Sequence, residues 1–217
     1  METILQLFRS GGVVMIPLLG LSIFSLAMIL ERSLFWLRLS RKQGKLLKKV
    51  LVLYQEDPQM AGMMLQGNQH LPIARIFLAA VSLKRSTPEK FRLALESAAQ
   101  AEIPLLKRFS NSFDTVTSVA PLLGLLGTVL GLITSLSSLE IGNLEASQTS
   151  GVTGGIGEAL TSTAVGLVIA IVTLFFASTF RGLYLQQIAS IQEFSSQLEL
   201  LHLDKHEQPG DISDAIT

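Results

Sequence analysis

Between Gly155 and Arg181 the sequence reads GIGEALTSTAVGLVIAIVTLFFASTFR and holds a single carboxylate, Glu158. Hydroxyls follow at Thr161, Ser162 and Thr163, and Ala164 to Phe180 carries no charge. An ionisable group at the rim of such a run is costly in lipid, so it should face protein, a cavity or the headgroups. In a helix, Glu158, Thr161 and Ser162 share a face, being three and four residues apart, with Thr163 on a neighbouring edge. A carboxylate with hydroxyls just inside it could pass protons or cations into a membrane. Equally, Glu158 could mark the water boundary while the hydroxyls bond back to carbonyls of their own helix.

Those residues need a membrane scaffold, and the composition supplies one. Hydrophobic residues make up 48% of the 217 and charged ones 16%, with mean hydropathy +0.47 and formal net charge zero. That is too apolar for an ordinary soluble domain. The absence of cysteine excludes disulfides and thiolate metal sites. His70, His202 and His206 show no metal-ligand spacing, and the last two read as a solvated pair in a polar tail. Neither a cofactor nor a metal is expected.

Three spans are expected, in an all-α membrane protein. Val13 to Leu30 is 18 residues without charge, with Phe35 and Trp36 behind it as interfacial aromatics. It lacks a basic leader and a small-residue cleavage site, and so reads as a retained anchor rather than a signal peptide. Pro17 could bend it, and Glu31 with Arg32 closes it as an internal pair. The second span runs from about Val116 to Leu136 and the third from 156 to 181. Around them the organisation is 1–38 with the first span, 39–113 cytoplasmic and helical, 114–139, a periplasmic loop over 140–155, 156–181, and a cytoplasmic extension over 182–217.

The orientation comes from charge. Arg38, Arg41, Lys42, Lys45, Lys48 and Lys49 follow the first span directly, and the 140–155 loop has Glu140 and Glu145 but no Lys or Arg. A basic run beside a membrane segment is a positive-inside signal rather than a nucleic-acid patch. It places the N-terminus outside and the C-terminus inside. Within 39–113, Asp57–Pro58 and Gly67–Asn68 break the helical pattern. Leu71 to Lys84 is amphipathic. Ser86–Thr87–Pro88–Glu89 has a hydroxyl cap, proline in the first turn and an acid after it, which starts a helix. That helix should run through Phe109 with a bend at Pro104. No phosphate loop, acid pair or nucleophile constellation is present, so an enzyme is not expected. Past Arg181 a helical pattern continues through Leu201, and Gln208–Pro209–Gly210 should end the order.

The second span carries small residues at Ala120, Gly124, Gly127 and Gly131, and the third at Gly166 and Ala170. Small residues four apart let helix backbones approach where lipid offers no hydrophobic drive. They favour a ring of copies, because one chain has too few spans to enclose a pathway. Thr128 is a hydroxyl at membrane depth beside this face. It could bond its own backbone or line a polar path.

APLLGLLGTVLGLI (120–133) followed by IGEALTSTAVGLVIAI (156–171) resembles the paired motifs of the MotA/TolQ/ExbB proton-channel family, the ExbB and TolQ branches most. The motifs cover about thirty residues, and the three-span layout extends the likeness to nearly the whole chain. The resemblance implies an inner-membrane homopentamer around an ExbD- or TolR-like single-span partner. A TonB-like transducer is a further implied partner, membrane lipid surrounds the assembly, and no nucleic acid is involved. The proton-motive force would drive work at the envelope. By motif position, the family's third-span glutamate falls on Glu158 and its pore threonines on Thr128 and Thr163. The sequence departs from the pattern at Leu130, Val172 and Ala177–Ser178, where the family often has tryptophan, proline and tyrosine-asparagine. A flagellar-stator-like protein would need four spans. The competing reading from another class is a non-conducting scaffold that clusters a partner. It would need the glycines but not Glu158, Thr128 and Thr163.

Overall fold

The computed structural model describes residues 12–83, 86–137 and 146–207. They form helices joined by short turns, with no strand among them. The helices are α1 (Met15–Glu56), α2 (Pro58–Gln66), α3 (Pro72–Val81), α4 (Pro88–Leu106), α5 (Ser110–Ser137) and α6 (Ala146–Glu207). Three helical stretches, containing α1, α5 and α6, are long and apolar enough to cross a membrane. The chain divides into two compact units. One comprises the described parts of Met1–Arg32 and Phe109–Arg181, the other Ser33–Arg108 and the described part of Gly182–Thr217.

In the first unit, the start of α1 packs on α5 and α6. Val14, Met15, Leu18, Met28 and Ile29 meet Phe113, Val116, Ala120, Ile169 and Ala170 in one core. Much of the rest of the surface is apolar and exposed, including Ile16, Ile23, Leu122, Ile133, Leu136, Val168, Ile171 and Phe175. Apolar surface on this scale is what a helix presents to lipid or to another membrane helix. Pro17 falls in the first turn of α1, where a proline costs no helical hydrogen bond. Arg32 is 2% exposed, its Nε 3.8 Å from Glu31 Oε2 and its guanidinium 6.0 Å from the centre of the Phe109 ring.

The second unit is a helical bundle with a core of large side chains. Leu47, Val50, Leu65, Ile73, Ile76, Phe77, Phe91, Leu95, Ile191 and Leu198 are buried. Asp57 caps α2 by accepting from Gln59 and Met60 N–H, and Thr87 caps α4 by accepting from Lys90 N–H, with Pro58 and Pro88 opening their helices. Arg75 on α3 donates through two nitrogens to Glu102 on α4, at 2.6 and 2.5 Å.

Three differences from the sequence reading stand out. The helix from Pro88 does not run on through Phe109. It stops at Leu106, and Phe109 adopts φ 66° before α5 begins. Helix α6 begins at Ala146, so ten residues of the expected 140–155 loop are helical. His202 is not a solvated tail residue. It stacks on Phe91 with ring centres 4.1 Å apart and lies 2.8 Å from the Tyr54 hydroxyl. The expected end of order at Gln208–Pro209–Gly210 lies outside the described residues.

Candidate proton-path site on the α5–α6 pair

The membrane parts of α5 and α6 run antiparallel and touch along a ladder of small residues. A Cβ added at Gly131 would sit 2.7 Å from Gly155 O, and one at Gly155 would sit 2.7 Å from Gly131 O. A Cβ at Gly124 would meet Ser162 O and Thr163 O at 3.1 and 3.3 Å, and one at Gly166 would meet Ala120 O at 2.6 Å. A Cβ at Gly127 would overlap the Ser162 hydroxyl. At Gly131, Gly155 and Gly166 the clash is with backbone oxygen that cannot turn aside, so glycine is what lets the backbones come this close, while at Gly124 a Cβ would be tight and at Gly127 it would displace the Ser162 side chain. Gly124, Gly127, Gly131 and Gly166 therefore face a helix of their own chain. This corrects the expectation that they serve contacts between copies, since the intramolecular pair already occupies that face. Ala170 belongs to the core formed with α1.

Hydroxyls tie the same seam. Thr163 Oγ1 donates to Gly124 O at 2.8 Å, and Ser135 Oγ donates to Val152 O at 3.0 Å. Ser162, wholly buried opposite Gly127, donates to Ala159 O at 2.9 Å, with Gly124 O 3.5 Å away. Thr161 donates to Gly157 O at 2.8 Å and Thr128 to Leu125 O at 2.6 Å, both back along their own helices. In apolar surroundings a hydroxyl without an acceptor is costly, so each proton is used locally. The oxygen lone pairs remain able to accept.

Glu158 is half-buried beside this seam, one turn from Ser162 and within a turn of Gly155. Its carboxylate lies against Gly12, in the turn that enters α1. No hydrogen bond joins Glu158, Thr128 and Thr163 to one another. Thr163 is on the contact between helices, Thr128 is partly exposed one turn from Gly124, and Glu158 sits twelve residues into α6, beside the turn that enters α1. The arrangement supplies one titratable group and a line of hydroxyl acceptors on a single helix pair. Sequence reasoning did not single out Gly12, Ser135 or Gly155. The only signal for them was a small residue within or beside a glycine-rich stretch. No group of three or more His, Asp or Glu side chains suited to a metal occurs among the described residues.

Residues 68–193 match the model of the MotA/TolQ/ExbB proton channel family. The biopolymer transport protein ExbB-like 3 of Synechocystis sp. is 54% identical over 200 residues, covering 92% of this chain and 95% of that relative. ExbB-like 1 of the same organism is 39% identical over 210 residues, covering 95% and 82%. The biopolymer transport protein ExbB of Xanthomonas campestris is 36% identical over 117 residues, covering 54% and 45%. The chain is a multi-pass membrane protein of helical spans. It belongs to the MotA/TolQ/ExbB proton channel family, on its ExbB branch.

Proposed function

We propose that this chain is the proton-conducting subunit of an inner-membrane complex that turns the proton-motive force into transport or mechanical work at the envelope. Its copies form a ring, a pentamer on the family's plan. The ring surrounds a single-span ExbD- or TolR-like partner, with a TonB-like protein as the element that carries the work outward. The observation that carries this reading is Glu158, the one carboxylate in the third span, placed beside the seam of a hydroxyl-bearing helix pair. A carboxylate there can take a proton from the outer side and release it inward. Thr163 and Thr128, with lone pairs free beyond their backbone bonds, offer acceptors along the way. No step requires a metal or a cofactor.

The test is an uptake or growth assay that depends on the energised complex, run beside a measurement of intact oligomer. Glu158→Gln keeps size and polarity but removes the titrating proton, and should abolish activity with the oligomer unchanged. Thr128→Val should weaken it. Full activity in Glu158→Gln would remove the titrating role and leave the scaffold reading. The direction of the path rests on the basic run from Arg38 to Lys49. A reporter fused near residue 60 should behave as cytoplasmic and one near 147 as periplasmic, and the reverse pattern would invert the path.

A further inference from the structure

We propose that Gly12 is a positioning residue for Glu158, and that the turn leading into α1 forms the wall against which the proton-carrying carboxylate rests. The role rests on the reading of Glu158 as the proton carrier. The contact itself stands on geometry alone. Gly12 adopts φ 66°, in the left-handed region that disfavours side chains. A Cβ built there would overlap Glu158 Oε1, lie 2.5 Å from its Cδ and 3.1 Å from its Cγ. The backbone of Gly12 thus lies flush along the carboxylate and its last methylene, and any other residue would push the acid away.

The wall is fixed in place. Gly12 O accepts from Met15 N–H at 3.1 Å, so the turn feeds directly into α1. Val14 and Met15 are 5% and 3% exposed. Val14 also reaches the α5–α6 seam, its Cβ standing 3.6 Å from where a Gly127 Cβ would be. The start of α1 is therefore seated on the glycine ladder that carries Ser162, one turn from Glu158. A helix N-terminus holds partial positive charge and favours an anion beside it. α1 places no acid of its own in its first turn. Moving the start of α1 would uncover the carboxylate, and holding it in place sets the side from which a proton can arrive.

The chain has no cysteine, so a Gly12→Cys, Glu158→Cys double variant carries the only two thiols. With Glu158 Cγ 3.1 Å from a Gly12 Cβ, the two Cβ positions are within reach of a disulfide. Mild oxidation of the full chain in native membranes should give a cross-link within the monomer, seen as a reducible mobility change without dimer. No cross-link, or a cross-linked dimer, overturns the contact. The role is read from proton flux in the assembled complex. Gly12→Ala should cut flux about tenfold with the oligomer intact. Glu158→Asp, whose carboxylate is one methylene further back, makes room for the added methyl. Gly12→Ala should therefore lose less flux in the Glu158→Asp background than in the unmodified chain, what remains being the strain of a side chain at φ 66°. If the two losses multiply, or if Gly12→Ala matches the unmodified chain, positioning is refuted. An intrachain cross-link together with full flux in Glu158→Gln would refute the role while keeping the contact. A missing cross-link with Glu158→Gln inactive would refute the contact while leaving the proton-carrier reading standing.

Discussion

The α5–α6 pair in the membrane unit and the helical bundle of the second unit solve the same problem with opposite materials. In the bundle, large side chains fill the space. Phe77, Phe91, Ile73, Ile76 and Leu198 are wholly or almost wholly buried, and removal of apolar surface from water drives the contact. In the membrane pair the seam is made of what is missing. Gly124, Gly127, Gly131, Gly155 and Gly166 bring backbone against backbone, and Ser135, Ser162 and Thr163 bond across or along it. Lipid tails are as apolar as leucine, so large side chains gain little by leaving them. Close van der Waals contact and satisfied hydroxyls remain as the available drive. Polar pairing differs likewise. The bundle holds Arg75 and Glu102 in a two-point ion pair, whereas the described membrane parts of α5 and α6 between Ala120 and Phe180 hold one ionisable side chain, Glu158. A charge is cheap in one setting and costly in the other.

That contrast breaks most readily at Gly166. Its would-be Cβ lies 2.6 Å from Ala120 O, a backbone atom that cannot turn aside. Gly166→Ala should cost about 1–3 kcal/mol, the usual range for overpacking. Gly20, in the same membrane unit, has nothing within 4 Å of an added Cβ. Gly20→Ala should be neutral, or should stabilise by up to about 1 kcal/mol through helix propensity. Thermal unfolding of the purified protein in detergent reads both. Equal behaviour of the two variants would mean that the ladder is not a close-packed seam.

The sequence was informative wherever the physics is local. Uncharged runs announced the three spans, because a bilayer demands that length. Thr87–Pro88 announced a helix start, because a cap acts within three residues, and Asp57–Pro58, legible as a break, turns out to cap α2. The glycines were visible as residues that let a backbone approach, but nothing in their spacing says whose backbone arrives. The structure assigns it to the same chain. The break at Phe109 was not visible either, since KRFSNS contains no glycine or proline. His202 failed for a related reason. Its partners are 148 and 116 residues away at Tyr54 and Ser86, so a histidine in a charged tail gave no sign of burial. The neighbour that Glu158 meets at Gly12 was not legible. A positive φ at the second of two glycines leaves no mark on the sequence.

The smallest effect expected is the most selective probe of the bundle. Tyr54 lies well past the charge-free part of α1, is 3% exposed and has its hydroxyl 2.8 Å from His202 Nδ1. With the phenol donating to Nδ1, the Nε2–H of the neutral ring donates to Ser86 O at 3.1 Å. Burial pushes the Tyr54 phenol from its ordinary 10 up to about 12. The folded state therefore binds that proton more tightly than the unfolded chain does. Its contribution is complete below about pH 10 and is lost as pH rises from there through about 12. Tyr54→Phe should cost about 0.5–1.5 kcal/mol at neutral pH, the usual worth of one hydrogen bond. It should also flatten the part of the alkaline loss of stability that the phenol causes. The chain has two tyrosines, Tyr54 and Tyr184, so tyrosinate absorbance in a Tyr184→Phe background reports Tyr54 alone. A phenol that ionises near pH 10 in that background would show that the ring meets water, and that the bundle is not closed around His202.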